Sequence, residues 1–339
     1  MPSELPQRTT QTMTRLMLSE RMLQQLSPQL RERHPTLELV SIESAVAAQR
    51  RDIDAVFISR EVTGASTKHE VHPELQACYD LMLANDGLRW VHIHSAGADR
   101  PVYQALLQRG VQVSTSSGAN ARVVAAMALA GVLALNKRFP LLWAQQQKRE
   151  WVPLLGPGRM PRDLPGQTAT VVGWGPIGQE LARLLQALGL NVNAVRTQAQ
   201  GHEAGVRMLR FEDIGQVLGQ SDWLILACPL TPRTRGLVNA QLLQALPAGA
   251  QLINVARGEV VVQNDLTDAL RSGHLAGALL DVFEHEPLPA DSPLWTLPNV
   301  IVTPHAAGHS DGNAARVQQM FLDNLERWLA GQPLQQLAQ

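Results

Sequence analysis

The sequence predicts an α/β protein made of two domains, each a parallel sheet with helices on both faces. Three observations carry this. Short apolar segments alternate with helix-period segments twice, once up to about Ser114 and again from Thr168 onward. A Pro/Gly-rich connector, Trp151–Gly166, separates the two runs. The second run opens on a buried-strand stretch, Thr168–Val172, followed by Gly173, Gly175 and Gly178 at G-x-G-x-x-G spacing and then at once by a helix.

In the first run, Arg15–Leu18 reads as a strand, after a polar stretch, 1–13, expected to be loose. Ser19 is placed to cap a helix reaching about Arg33. Leu37–Ile42 is the second strand, with a short helix near Ala45–Arg50. Ala55–Ser59 is the third, His69–Asn85 is helical, and Arg89–His94 is the fourth. The loop Ser95–Asp99 follows, then a helix Pro101–Arg109 and a fifth strand Val111–Ser114. Asn120–Arg138 is a long, densely apolar helix, and the connector follows it.

In the glycine stretch, Ile177, Leu181, Leu184, Leu185 and Leu188 share one helical face, and Gly189 stops the helix. The first glycine permits the turn out of the strand, the second lets backbone approach a pyrophosphate, and the third lets helix pack on strand. The helix N-terminus then offers free N–H groups to phosphate. The same spacing also makes a tight strand-to-helix turn with no ligand. Here strand, glycines and amphipathic helix coincide, which favours a dinucleotide site. Beyond it the reading is strand Asn191–Val195, helix near Phe211–Leu218, strand Trp223–Ala227, helix Ala240–Leu246 and strand Gln251–Val255. Helix Asn264–Ser272, strands Ala276–Asp281 and Val300–Val302, and a final helix at about Asp311–Ala330 complete it.

Composition narrows the function classes. At 339 residues, 45% hydrophobic and 17% charged, the chain can bury two cores. A net charge of −1 with no basic block points away from nucleic acid and anionic membrane surfaces. Cys78 and Cys228 make no disulfide framework, and no metal-ligand spacing occurs. The longest apolar run, Val123–Leu135, is too short to span a bilayer, and the N-terminus lacks a signal-peptide core. A soluble cytoplasmic protein is expected.

The chemistry concentrates past three strand ends. One ends in Ala256-Arg257-Gly258, the next in Asp281 through Glu286-Pro287, the last in Thr303-Pro304-His305-Ala306-Ala307-Gly308. In a parallel sheet these ends share the edge where a dinucleotide lies. The trio suits reduction of a 2-oxo acid: arginine holds the carboxylate, histidine protonates the developing alkoxide, and a carboxylate orients the ring and favours its protonated form. Singly, each has a plain alternative: a helix cap for Arg257, a solvated turn for Glu286, a backbone-bonded loop residue for His305. By position alone, the loops at Ser59–Gly64 and Ser95–Asp99 are substrate-loop candidates or ordinary βα turns.

These segments resemble the D-isomer-specific 2-hydroxyacid dehydrogenases, which include glyoxylate/hydroxypyruvate reductases. VVGWGPIG (171–178), ACPLTPRTRGLVN (227–239), INVARGEVV (253–261), LLDVFEHEPLP (279–289) and TPHAAGH (303–309) carry the resemblance, over roughly residues 90–310. It implies Arg257 as substrate arginine, Glu286 as catalytic glutamate and His305 as acid/base. Implied cofactor contacts are Gly173, Gly175, Pro176, Ile177, Gly178, Cys228, Pro229, Thr234, Val255, Ala256, Asp281, His305 and Gly308. Asp281 would lie near the nicotinamide amide, and the backbone N–H groups of Ser95, Ala96 and Gly97 would bind substrate carboxylate. The resemblance further implies a flavodoxin-like substrate domain, 1–115 plus 309–339, into which a Rossmann nucleotide-binding domain, 116–308, is inserted. It implies a homodimer through the apolar helix and the connector; a helix buried within one chain is the alternative.

Where many members read V-A-E-H, this chain reads Val124-Ala125-Ala126-Met127. Glu286 argues against the formate dehydrogenase branch, and the lack of a regulatory domain after residue 330 against the long phosphoglycerate dehydrogenases. The acidic residue expected after the strand Asn191–Val195 is absent. Arg196-Thr197-Gln198-Ala199-Gln200 follow instead, and the first acidic residue is Glu203. A guanidinium there pairs with a 2′-phosphate, with help from Thr197 and from Arg207 or Arg210, so NADPH is expected over NADH. The alternative is Arg196 stacked on adenine and both cofactors, NADP and NAD, accepted. The function expected is reduction of a small 2-oxo acid to the D-2-hydroxy acid. Its rivals are a larger 2-oxo acid as substrate and, in another class, a cofactor-sensing corepressor-like binding protein.

Overall fold

The computed structural model describes residues 13–67, 70–156, 158–198 and 201–338. The expected loose N-terminus, the start of the helix at His69 and the pair Ala199-Gln200 lie outside the described residues, apart from Met13. The chain forms two compact units: Met1–Ser117 with Ala314–Gln339, and Gly118–Asn313.

In the first unit, β1 (Thr14–Leu18), β2 (Leu37–Ser41), β3 (Ala55–Ile58), β4 (Trp90–Ile93) and β5 (Gln112–Thr115) form one parallel sheet in the order β2-β1-β3-β4-β5. That is the flavodoxin-like order. β3 and β4 are buried along their whole length, as apolar runs in a sheet covered on both faces should be. Ser19 caps the helix Glu20–Arg33, its hydroxyl accepting from Met22 N at 3.1 Å. The final helix, Asn313–Leu329, packs here: Phe321 stacks on Phe57 at 4.3 Å and on Trp90 at 5.9 Å. Among these rings His92 is fully buried. The hydroxyl of Ser116 donates to Ile93 O, so it must accept from His92 Nε2 at 3.1 Å. Trp90 Nε1 donates to Ser114 Oγ, whose own proton is free to reach His92 Nδ1 at 2.8 Å. A neutral ring therefore satisfies every polar group, and burial holds the His92 pKa down to about 3.

The second unit holds β6 (Thr168–Val172), β7 (Asn191–Arg196), β8 (His202–Glu203), β9 (Val206–Arg210), β10 (Trp223–Leu226), β11 (Ala250–Asn254), β12 (Leu275–Leu280) and β13 (Val300–Val302). Their order is β13-β12-β11-β10-β6-β7-β9-β8, parallel except for the β8–β9 pair. The chain leaves β6 in one direction and returns at β10 to build the other, so the carboxyl ends of β6 and β10 bound the switch point of a Rossmann sheet. The long helix, Ala121–Asn136, lies on this sheet through Val124, Ala125, Ala128, Val132 and Leu135. Its Gly131 comes so near that a Cβ would stand 2.8 Å from Leu279 Cδ1.

Three expectations change. The long helix ends at Asn136, because Arg138 turns left-handed at φ 56°, and a second helix, Phe139–Lys148, follows. The helix expected over Phe211–Leu218 is a 3₁₀ turn, Phe211–Asp213, and one short helical turn, Gly215–Leu218. Before it lies the hairpin β8–β9, closed by Ala204 (φ 49°) and Gly205 (φ 76°). Two positive-φ residues between antiparallel strands are the requirement of a two-residue hairpin turn. Among the described residues, no single helix is long and apolar enough to cross a membrane.

Candidate active site

The glycine loop leaves β6 at the switch point. Gly173 has φ 110°, and a Cβ on it would fall 2.6 Å from Ala227 O at the end of β10. A Cβ on Gly178 would fall 2.0 Å from Gly173 O, so helix and loop touch through backbone. Gly175 differs: a Cβ there meets no protein atom within 4 Å. Protein packing explains the first and third glycines, and leaves the second as the face for a close-approaching phosphate. Pro176 stands in the first turn of the helix Pro176–Ala187, whose N-cap, Gly175, supplies no side-chain acceptor. The first-turn N–H groups of Ile177 and Gly178 thus have the geometry of a phosphate cradle, and the residues present fit a dinucleotide.

Arg196 is the last residue of β7 and Thr197 follows it, exposed. Arg210 is the register partner of Arg196, whereas Arg207 pairs with Asn193 lower in the strand. Arg196 is also ion-paired: its Nη1 stands 3.1 Å from Glu203 Oε2. The carboxylate missing from the strand end returns through the β8 hairpin, from Glu203, which the sequence marked only as the first acidic residue after the strand.

Past β10, Cys228 and Thr234 are buried, and burial pushes the Cys228 thiol up to about 12. The Thr234 hydroxyl donates to Pro229 O at 2.7 Å and accepts from Thr231 N at 2.8 Å. These side chains shape the loop, and Pro229 is one of its exposed residues.

The trio lies at the ends of β11, β12 and β13. Buried Asn254 ends β11 and staples the Arg257 turn, its Oδ1 accepting from Ala256 N at 3.0 Å and its Nδ2 donating to Arg257 O at 3.1 Å. Val255 and Ala256 are buried under this turn. A Cβ on Gly258 would sit 1.8 Å from Phe283 C, so the turn carrying Arg257 lies against the backbone of the segment carrying Glu286. Glu286 Oε1 accepts from Phe283 N at 3.1 Å, and Oε2 lies 2.8 Å from His305 Nδ1. A carboxylate at Nδ1 favours the proton on that nitrogen and leaves Nε2 as the ring's other face. The His305 side chain is 49% exposed and that of Glu286 15%. The pair combines an accessible imidazole with a shielded partner.

His305 adopts φ 50°, which costs an L-residue about 1 kcal/mol. Asp281, 1% exposed, holds it there. Its backbone oxygen accepts from His305 N at 2.8 Å, Oδ1 accepts from Thr303 Oγ1 at 2.6 Å and Ala306 N at 2.8 Å, and Oδ2 accepts from Ala307 N at 3.0 Å. A Cβ on Gly308 would strike Asn120 Nδ2 at 2.4 Å, which accounts for the glycine by packing at the head of the long helix. Asn254, Gly258 and Thr303 escaped the sequence reading. An Asn closing a buried strand before a turn was the available signal for the first; the other two depend on residues over twenty positions away.

The Ser95–Gly97 loop follows β4 in the first unit. Ser95 Oγ donates to Gly97 O at 2.9 Å and Ser95 O accepts from Ser116 N at 3.0 Å, which fixes the loop from within and from β5. Next to it His94 Nε2 meets Thr63 Oγ1 at 3.0 Å, and burial holds its pKa down to about 4.

Comparisons with known proteins point to one family. Residues 129–307 match the family model described as D-isomer specific 2-hydroxyacid dehydrogenase, NAD binding domain. The glyoxylate reductase of Korarchaeum cryptofilum is 33% identical over 254 residues, 72% of this chain and 74% of that one. A D-isomer specific 2-hydroxyacid dehydrogenase from Xanthobacter autotrophicus, solved with NADPH and MES, superposes with TM-score 0.75 at 29% identity, covering 97% of this chain and 98% of that one. The NADPH-dependent glyoxylate/hydroxypyruvate reductase of Sinorhizobium meliloti, solved with NADP and sulfate, gives 0.73 at 28% identity, covering 96% and 98%. With a Rossmann sheet and a glycine cradle on the same chain, this protein belongs to the D-isomer specific 2-hydroxyacid dehydrogenases, nicotinamide-dependent oxidoreductases.

Proposed function

We propose that the protein reduces a small 2-oxo acid of the glyoxylate/hydroxypyruvate type to the D-2-hydroxy acid, with NADPH preferred over NADH. The observation that carries this is the 2.8 Å His305–Glu286 pair on the strand edge that also bears Arg257 and the glycine loop. When bound, the dihydronicotinamide supplies hydride to C2. His305 Nε2 gives its proton to the carbonyl oxygen as negative charge develops there. Glu286 fixes the ring through Nδ1 and stabilises its cationic form before transfer. Arg257 pairs with the substrate carboxylate and polarises the carbonyl, and in the first unit the backbone N–H groups of Ser95, Ala96 and Gly97 are assigned to carboxylate binding. We assign 1–115 with 309–339 as substrate domain and 116–308 as nucleotide domain. The cofactor contacts named above from the glycine loop to Gly308, with Arg196 and Thr197, belong to this reading, except Asp281, whose two oxygens are taken up by the His305 loop.

The cofactor preference rests on Arg196, which closes β7 where a ribose-binding carboxylate would otherwise stand. Two relatives solved with NADPH or NADP support it. We also propose a homodimer built on the long helix, Phe139–Lys148 and the connector, where Trp143, Trp151, Leu155 and Met160 are exposed apolar residues. A cytoplasmic location fits an enzyme drawing on a reduced nicotinamide pool. The test is kcat/KM for glyoxylate, hydroxypyruvate and larger 2-oxo acids with each cofactor, followed by nicotinamide absorbance. Arg196→Asp should weaken NADPH and spare NADH. A wild-type enzyme favouring NADH overturns the cofactor assignment, and absence of turnover on every 2-oxo acid overturns the reaction.

A further inference from the structure

Arg196 is held by an anion of the protein's own. Its Cα partner in β9 is Arg210, at the carboxyl end of that strand, whereas Glu203 pairs with Val206 at the opposite end. The ion pair at 3.1 Å therefore draws the Arg196 guanidinium back along β9, away from the edge where a ribose lies. Glu203 is not a loosely placed surface acid. The two-residue turn Ala204-Gly205 sets its backbone, with Ala204 itself at φ 49°, and Gln186 Nε2 ties that turn down by donating to Ala204 O at 3.2 Å. The neighbouring guanidinium, Arg210, is likewise bonded to Asp213 at 2.9 Å.

We propose that Glu203 is a specificity-determining residue: an internal counter-anion that competes with the cofactor 2′-phosphate for Arg196, and so limits the preference for NADPH. This rests on the assignment of Arg196 to the 2′-phosphate. NADPH binding exchanges the carboxylate for the phosphate on one guanidinium, while NADH leaves the Arg196–Glu203 pair intact. The two side chains are 40% and 51% exposed, so the exchange is cheap enough to occur but not free. Both cofactors are then accepted, with a ratio set by residue 203 as well as by residue 196.

The experiment measures dissociation constants on the apo protein, without turnover. NADPH and NADH are titrated by nicotinamide fluorescence, and 2′-AMP against 5′-AMP by calorimetry. The proteins are wild type, Glu203→Gln and Arg196→Ala. Glu203→Gln should tighten NADPH and 2′-AMP by about three- to fivefold, the scale of one exposed ion pair, and leave NADH and 5′-AMP within about twofold. Equal tightening of all four ligands would mean a general charge effect and overturn the proposal. Unchanged NADPH binding in Glu203→Gln, with Arg196→Ala still weakening NADPH selectively, overturns the role of Glu203 and keeps that of Arg196. If Arg196→Ala leaves the NADPH to NADH ratio untouched, the phosphate does not meet Arg196 and both assignments fall.

Discussion

Replacing Asp281 with asparagine separates two jobs that one carboxylate could have. In the structure both oxygens are engaged: Oδ1 by the Thr303 hydroxyl and Ala306 N, Oδ2 by Ala307 N at 3.0 Å. Asparagine keeps the shape and the first oxygen. At the second it sets an NH₂ against the Ala307 N–H, so one charge-assisted bond is lost and two buried donors oppose each other. The lost bond is worth about 1.5–3 kcal/mol and the unmet donors about 1–3 kcal/mol. Relief of a buried charge offsets part of this, leaving a net loss of about 2 kcal/mol. For a unit of this size that lowers Tm by about 4–8 °C. The loop carrying His305 would loosen, and a shift of about 1 Å at a reacting group costs on the order of 10²-fold in rate. Calorimetry, kcat and the Kd for NADPH are the three readouts. Clamping the histidine loop predicts a lower Tm and kcat with cofactor affinity within about threefold. An unchanged Tm with a much weaker cofactor Kd would refute this reasoning, and would give the carboxylate to the nicotinamide amide instead.

His305→Ala should lower kcat by about 10²–10⁴-fold while leaving cofactor Kd near wild type; a variant keeping above about a tenth of the rate in a chemistry-limited assay would refute the proton-donor role. Glu286→Gln, which keeps the hydrogen bond at Nδ1 but removes the charge, should lower kcat by about tenfold or more with cofactor Kd near wild type, and an unchanged kcat counts against the pairing. Light scattering should give a dimer at micromolar concentration, and a stable monomer would remove the assembly built on the exposed apolar connector. Acid should weaken the first unit: burial keeps His92 and His94 neutral in the fold to about 3 and about 4, whereas an unfolded imidazole binds its proton near about 6.5. The unfolded chain then binds more protons below that pH, so stability falls as pH drops from about 6.5 toward 4, by up to about 1.4 kcal/mol per pH unit for each ring. Thermal melts from pH 7 to 5 check this, and a flat Tm would refute it.

How far the chain could be read in advance follows from where each partner sits. The strands Ala55–Ile58 and Trp223–Leu226 were legible because each is an apolar run buried on both faces, and such runs announce themselves within their own few residues. The hairpin of β8 and β9 was not: its turn is Ala204-Gly205, where Asn-Gly would have given the signal, and β9 carries Arg207 and Arg210 on a short segment. The helix Phe139–Lys148 hid for a related reason, since it begins after an arginine in left-handed conformation with no capping side chain. The site divides the same way. Arg257, Glu286 and His305 could be placed on one edge because a parallel sheet sends every strand's carboxyl end to the same side. What holds them could not. Gly258 stands beside Arg257 with nothing in the sequence to mark it, yet its hydrogen is the only substituent that fits against Phe283. Thr303 meets a carboxylate twenty-two positions away. Glu203 is the instructive case, because its absence from the strand end was read correctly and its return through the hairpin was not. A motif fixes which residue types reach the edge, while the electrostatic setting of each comes from pairs that only the folded register creates. Cofactor preference depends on such a setting, which is why it has to be measured at residues 196 and 203 together.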